Sequence, residues 1–335
     1  MAHELHIKNG KASMAFIGET PWHGLGQQLT PESTLEEWRT ASNMDFTIER
    51  ASVWATNTYG DALQMPEKHM LYRSDTHTPL AVVSDKYKIV QPAEVLDFYQ
   101  ELTKSLGYQM ATAGVLFGGK RYWALASAGE SASIGSDLLL SNGNSIKGDQ
   151  YGRYLLFSTA CDGTMATRVI ETTVRVVCNN TLQVANSRTN GAGVSIPHSR
   201  EFNATQVKQD LGLGDSFTHF MEDMRQFADR TLTKQEATAY LIQLMGNPDL
   251  KPEEQTNGKT LQEIYELYDS TSMGNQFQSS HNTLLGMLNA VTEYTDWHTA
   301  HRTTDARINS TWFGSTNALK NRAYSQALTL VELSA

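Results

Sequence analysis

The 335 residues include 27 Lys and Arg against 36 Asp and Glu, a formal charge of −9, and 40 % of them are hydrophobic. This composition excludes a disordered chain, and the net acidity excludes generic polyanion binding, so any nucleic-acid contact must be local. Two cysteines are too few for a secreted disulfide framework, and no apolar run approaches the roughly 20 residues of a membrane span.

The charge is uneven along the chain. Residues 1–200 hold 17 basic and 19 acidic side chains, residues 201–335 hold 10 and 17, and residues 147–200 alone hold 6 and 3. Met1-Ala2-His3-Glu4-Leu5-His6 lacks the basic-then-apolar start of a secretory signal, which predicts a cytoplasmic, reducing setting.

The first 30 residues read as irregular, with a turn-rich segment at Thr20-Pro21-Trp22-His23-Gly24-Leu25-Gly26. Thr30 or Ser33 is expected to cap a helix that places Leu35, Trp38 and Ala41 on one face. Residues 46–54 alternate as a strand should, and Met70–Ser74 with Leu80–Ser84 flank a polar turn, the pattern of a hairpin. Tyr87–Gln91 reads as a short strand, and Pro92 then opens a helix to about Ser105. Residues 108–185 predict an antiparallel meander: strands at 110–117, 122–128, 149–157 and 167–177, a tight turn at Gly118-Gly119-Lys120, and loop at 143–148. Asn180/Thr181 is expected to start a helix, and residues 189–197 form a Gly-rich loop. Beyond Gln206 helical periodicity dominates, led by Phe217, Phe220, Met221, Met224 and Phe227. Helices follow near 234–245, where Thr233 and Glu236 form a capping-box pattern, and near 259–269, 279–294 and 315–333. The fold class is therefore α+β: a 1–200 domain with a central antiparallel sheet, then a mostly helical region over 201–335.

No catalytic motif is complete. Cys161-Asp162 suggests thiol chemistry, yet both Cys161 and Cys178 lie in apolar strand sequence, where packing thiols are the rule. His298 and His301, with His281 and Asp296 or Asp305, have spacing that can converge on a metal, but solvated or capping histidines explain them better, and neither a metal nor a cofactor is expected. Gly24-Leu25-Gly26 and Gly191-Ala192-Gly193 lack the context of a phosphate loop. What remains is a set of basic residues interleaved with aromatics on adjacent strands: Lys120, Arg121, Arg153, Arg168 and Arg175 to track phosphates, Tyr122 and Tyr151 to stack bases. Arg168 and Arg175 are seven apart, which puts them on opposite faces of a regular strand.

Several blocks resemble a family of phage and plasmid proteins catalogued as a domain of unknown function. They are Pro21–Gly26, Val83–Gln91, Gly118–Trp123, Cys161–Thr164, Arg175–Leu182, Leu288–Asp296 and Phe313–Ser315, with Lys320 following. The resemblance implies a mobile-element origin and a bacterial cytoplasm, and it supplies no reaction. The meander is also similar in outline to phage single-strand annealing proteins. The leading expectation is a non-catalytic protein that binds single-stranded DNA, forms a homo-oligomer and promotes annealing in recombination or replication. The second is a self-assembling structural or host-interaction protein.

Overall fold

The computed structural model of the chain describes residues 7–8, 11–18, 26–135, 138–139, 145–146, 148–175, 180–183, 193–211, 216–275 and 277–333. Most of the turn-rich Thr20–Gly26 segment lies outside them, as do Cys178 and Asn179.

Short strands β1 (Ile7–Lys8), β2 (Lys11–Ala12), β3 (Met14–Ile17) and β4 (Gln27–Leu29) precede helix α1 (Leu35–Ala41). Thr34 caps α1, in place of Thr30 or Ser33. Its hydroxyl accepts from the Glu37 N–H while the Glu37 carboxylate accepts from the Thr34 N–H. Strands β5 (Ile48–Thr56), β6 (Ala62–Arg73) and β7 (Pro79–Ser84) form an antiparallel three-stranded sheet in that order. Residues 87–91 run without strand pairing into α2 (Pro92–Leu106), so the strand expected there is absent. Pro92 occupies the first turn, where its missing N–H leaves no bond unmade, and Gly107, at φ 72°, ends the helix in the left-handed region.

Strands β8 (Gln109–Leu116), β9 (Arg121–Ile134), the two-residue β10 (Leu138–Leu139) and β11 (Ser145–Ile146), β12 (Asp149–Ala160), β13 (Thr167–Arg175), β14 (Asn180–Gln183) and β15 (Gly193–Ile196) follow. The main sheet has the order β14-β13-β12-β9-β8-β3-β4, and β15 also pairs β13. Among the described residues only β3 and β4 pair in parallel. Three expectations are corrected here. The irregular N-terminus supplies β3, which pairs β8. Asn180 and Thr181 belong to a strand paired with β13, because ladder hydrogen bonds outweigh their capping propensity. The Gly-rich stretch supplies β15, and Gly193 permits it: a Cβ there would lie 2.3 Å from Ile170 Cγ2 and 2.8 Å from the Val169 carbonyl.

Helices α3 (Ala204–Asp210), α4 (Ser216–Asp229), α5 (Lys234–Met245), α6 (Gly258–Glu266), α7 (Leu284–Glu293), α8 (Thr304–Phe313) and α9 (Ser315–Glu332) complete the chain. Two π-helical turns, Leu267–Thr271 and Tyr294–His298, extend α6 and α7. Antiparallel sheets in the first half and helices in the second make the fold α+β. Among the described residues no helix is long and apolar enough to cross a membrane.

Period-two alternation sends the two faces of the main sheet to different partners. Tyr122, Ala124, Leu155, Phe157 and Val169 join Leu96, Phe98 and Tyr99 of α2 in one core. On the opposite face Trp123, Leu125 and Leu156 pack with Ile308 of α8, flanked by Trp312 and Phe313. A third core centres on α7, every residue of which is buried, and it also takes in Ile134 and Tyr151 from the sheet. Gly286 admits α7 to that position, since a Cβ would fall 1.8 Å from the Ser280 carbonyl oxygen.

Candidate functional site

Two turns meet at one end of the main sheet. The β8–β9 turn passes through Phe117, Gly118 and Gly119, all at positive φ (52°, 69° and 111°). Gly119 is confined by Arg73, whose Cδ would lie 3.0 Å from an added Cβ. Arg73 is fully buried: it pairs with Asp75 at 2.9 Å, donates to the Gly118 carbonyl at 3.1 Å and lies over the Phe46 ring. It thereby holds the turn from below.

The β12–β13 turn is tied to the first. The Cys161 N–H donates to the Lys120 carbonyl at 2.9 Å, and Arg121 donates to the Thr164 hydroxyl at 2.7 Å. The Asp162 carboxylate in turn accepts from the Thr164 N–H at 3.0 Å. Tyr87 donates to the Ala160 carbonyl at 2.7 Å and stacks on His198, with ring centroids 4.4 Å apart. From the helical half, Asp305 accepts the Phe117 N–H and Asn309 accepts from Arg121. Three of the blocks quoted above, Val83–Gln91, Gly118–Trp123 and Cys161–Thr164, thus converge around one sheet end, and α8 closes it.

The predicted contact residues separate into two groups. Lys120 and Arg168 are exposed, and Arg121 is half-buried. The register places Trp123, Ser158 and Arg168 in one cross-strand row, with Arg121 two residues before Trp123, so Arg121 and Arg168 share the sheet face that α8 partly covers. The other group is interior, which corrects its assignment to the surface. Tyr122 is 1 % exposed and donates its hydroxyl to the Val90 carbonyl. Tyr151 is 3 % exposed and meets Phe220 edge-on. Neither ring has a free face on which a base could stack. Arg153 is 5 % exposed and held between Glu171 and Glu130. Arg175 pairs its backbone with Tyr151 and Asn180, and its side chain lies outside the described residues.

Burial and the neighbouring Asp162 push the Cys161 thiol up to about 12, and the thiol donates to the Gly119 carbonyl, so it packs and does not attack. Two of the three histidines weighed for metal binding have other partners: His301 bonds the Thr299 hydroxyl and His298 stacks on Tyr294. Asp296 is taken by Lys320 at 2.8 Å. Among the described residues no three His, Cys, Asp or Glu side chains gather to hold a metal ion.

Sequence reasoning gave no role to Arg73 and Asn309, which build the site, weighed Asp305 only as a metal ligand, and did not foresee that Lys320 is buried against Asp296. Lys320 carried a visible signal. It sits in the stripe Thr316, Asn317, Lys320, Ala323, Tyr324, Ala327, Leu328 at helical spacing, where a lysine must be buried and paired.

A family model described as a domain of unknown function (DUF932) matches residues 79–312, which span the sheet end, β12–β13 and α8. No curated protein matches the chain, and no solved structure does.

Proposed function

Since the chain belongs to the DUF932 family, whose description assigns no reaction, we propose from its geometry that it binds single-stranded DNA through the sheet end closed by α8. One observation carries the reading: Lys120, Arg121 and Arg168 reach the solvent around turns that the buried Arg73, paired with Asp75 and bonded to the Gly118 carbonyl, holds from below in an otherwise acidic chain. With Tyr122 and Tyr151 interior, the contact is mainly to phosphate, so binding is largely indifferent to sequence. The mobile-element setting, the bacterial cytoplasm and a part in strand annealing complete the proposal and rest on the resemblance alone.

The test is fluorescence anisotropy of labelled single-stranded oligonucleotides with the full chain over a salt series. Three phosphate contacts give a slope of log affinity against log salt of about −2. Lys120→Glu with Arg168→Glu should lower affinity and flatten that slope by more than half, equally for every sequence. No salt-dependent binding by the wild-type chain overturns the reading.

A second reading, a self-assembling protein, is favoured by a different observation. Of the exposed large hydrophobic residues, Trp54, Tyr59, Leu63, Met65 and Val82 all lie on the small β5–β7 sheet and its turn.

A further inference from the structure

The hairpin of β5 and β6 outruns the sheet that it belongs to. Strand β7 pairs only with Lys68–Tyr72 of β6, and the pairing of β5 with β6 shifts between Ser52 and Val53, where residues 66–68 have no counterpart on β5. Beyond that shift Val53 pairs Met65, Trp54 pairs Gln64, Ala55 pairs Leu63 and Thr56 pairs Ala62. The outer hairpin is therefore a two-stranded ribbon. Trp54 is 58 % exposed on one face, Leu63 and Met65 are exposed on the other, and Tyr59 at the tip is 90 % exposed.

Three physical points decide what covers it. An isolated two-stranded ribbon is marginal in water and gains stability from a third strand. The free edge of β5 is unguarded: Ala51-Ser52-Val53-Trp54-Ala55-Thr56 contains no proline, lysine or other charge, the devices that keep edge strands from pairing. The whole of 51–66 carries a single charged side chain, Asp61, in a chain that is 19 % charged. A phosphate backbone or a charged peptide finds no countercharge on such a surface. A neutral, apolar edge strand is complementary to itself.

We propose that β5 pairs edge to edge, antiparallel, with β5 of a second copy of this chain, joining two ribbons into one four-stranded sheet. A two-fold axis then makes the contact isologous, with Trp54 of each copy packed beside the other ribbon. This deepens the self-assembling reading and does not depend on DNA binding.

The experiment is size-exclusion chromatography with light scattering on the full chain across a dilution series, with Trp54→Lys, Ala55→Lys and, as a control on the same ribbon's tip, Tyr59→Ser. The wild type should elute as a dimer or a multiple of one. Trp54→Lys and Ala55→Lys should shift it to monomer at every concentration, with circular dichroism unchanged because both positions are exposed. Tyr59→Ser should leave the mass unaltered. An assembled wild type that both lysine variants leave assembled overturns the β5 interface while keeping self-assembly. A wild type that is monomeric throughout overturns both, and if it also sediments with neutral phosphatidylcholine vesicles the ribbon belongs to a lipid surface instead.

Discussion

Arg153 keeps a charge with almost no access to water because Glu171, only 2 % exposed, and the more open Glu130 surround its guanidinium. Burial pushes the Glu171 carboxyl above its ordinary value, and Arg153 draws it back. Replacing one member of such a pair is far costlier than replacing both by well-packed apolar groups. Arg153→Ala should therefore cost about 3–5 kcal/mol, and Arg153→Met with Glu171→Leu should recover most of it, read from urea midpoints. Oligonucleotide affinity of the folded fraction should not change, since Arg153 lies toward the other end of β12 from the proposed surface. A loss of affinity without loss of stability would return Arg153 to the interface. From sequence, Arg153 and Arg168 look alike, two arginines on alternating strands. What separates them is which helix lands on which face, and no local pattern encodes that.

At the scale of elements the helices were the most legible part. Phe217, Phe220, Met221, Met224 and Phe227 repeat at helical spacing, and all five are buried on α4. The capping box read at Thr233 and Glu236 is present at the start of α5. Its carboxylate takes the Thr233 N–H, the Arg230 guanidinium and the Thr233 hydroxyl, which together lower Glu236 from 4.5 to about 2. A folded-state value below the unfolded one means that this stabilisation is complete above about 4.5 and is lost as pH falls toward 2. Amide exchange at the first turn of α5 should accelerate over that window in the wild type, and Glu236→Gln should remove the pH dependence. An acid limb that survives in Glu236→Gln would assign it to another carboxylate. The strands were legible where alternation and turns agreed, as in the hairpin that became β6 and β7. They were misread where one residue type serves two purposes: Asn180 and Thr181 suit a helix cap and a ladder equally, and only their pairing with β13 decides.

Across the whole molecule, α8 is the joint. Its Asp305 and Asn309 engage the sheet end, and its Trp312 meets Trp123 edge-on, centroids 4.6 Å apart. Its Arg307 reaches the other way and donates to the Asp296 carbonyl in the helical half. Trp312→Ala should cost about 3 kcal/mol and uncouple the two halves. In native-state hydrogen exchange, β9 and β12 should open together with α7 in the wild type and at separate free energies in the variant. Equal protection in the variant would locate the coupling elsewhere, at the contact of Tyr151 with Phe220.

The Asp296–Lys320 pair carries a consequence for the order of events during synthesis. The lysine is buried, and burial lowers its affinity for a proton while Asp296 raises it. Asp296 leaves the ribosome 24 residues ahead of Lys320. At about 5–20 residues per second, the nascent chain carries the carboxylate for about 1–5 seconds before its ammonium exists. The helical half cannot close in that interval, whereas the strands of the main sheet, all made before residue 200, have already emerged. The sheet end is thus offered to its surroundings before α8 arrives to cover it.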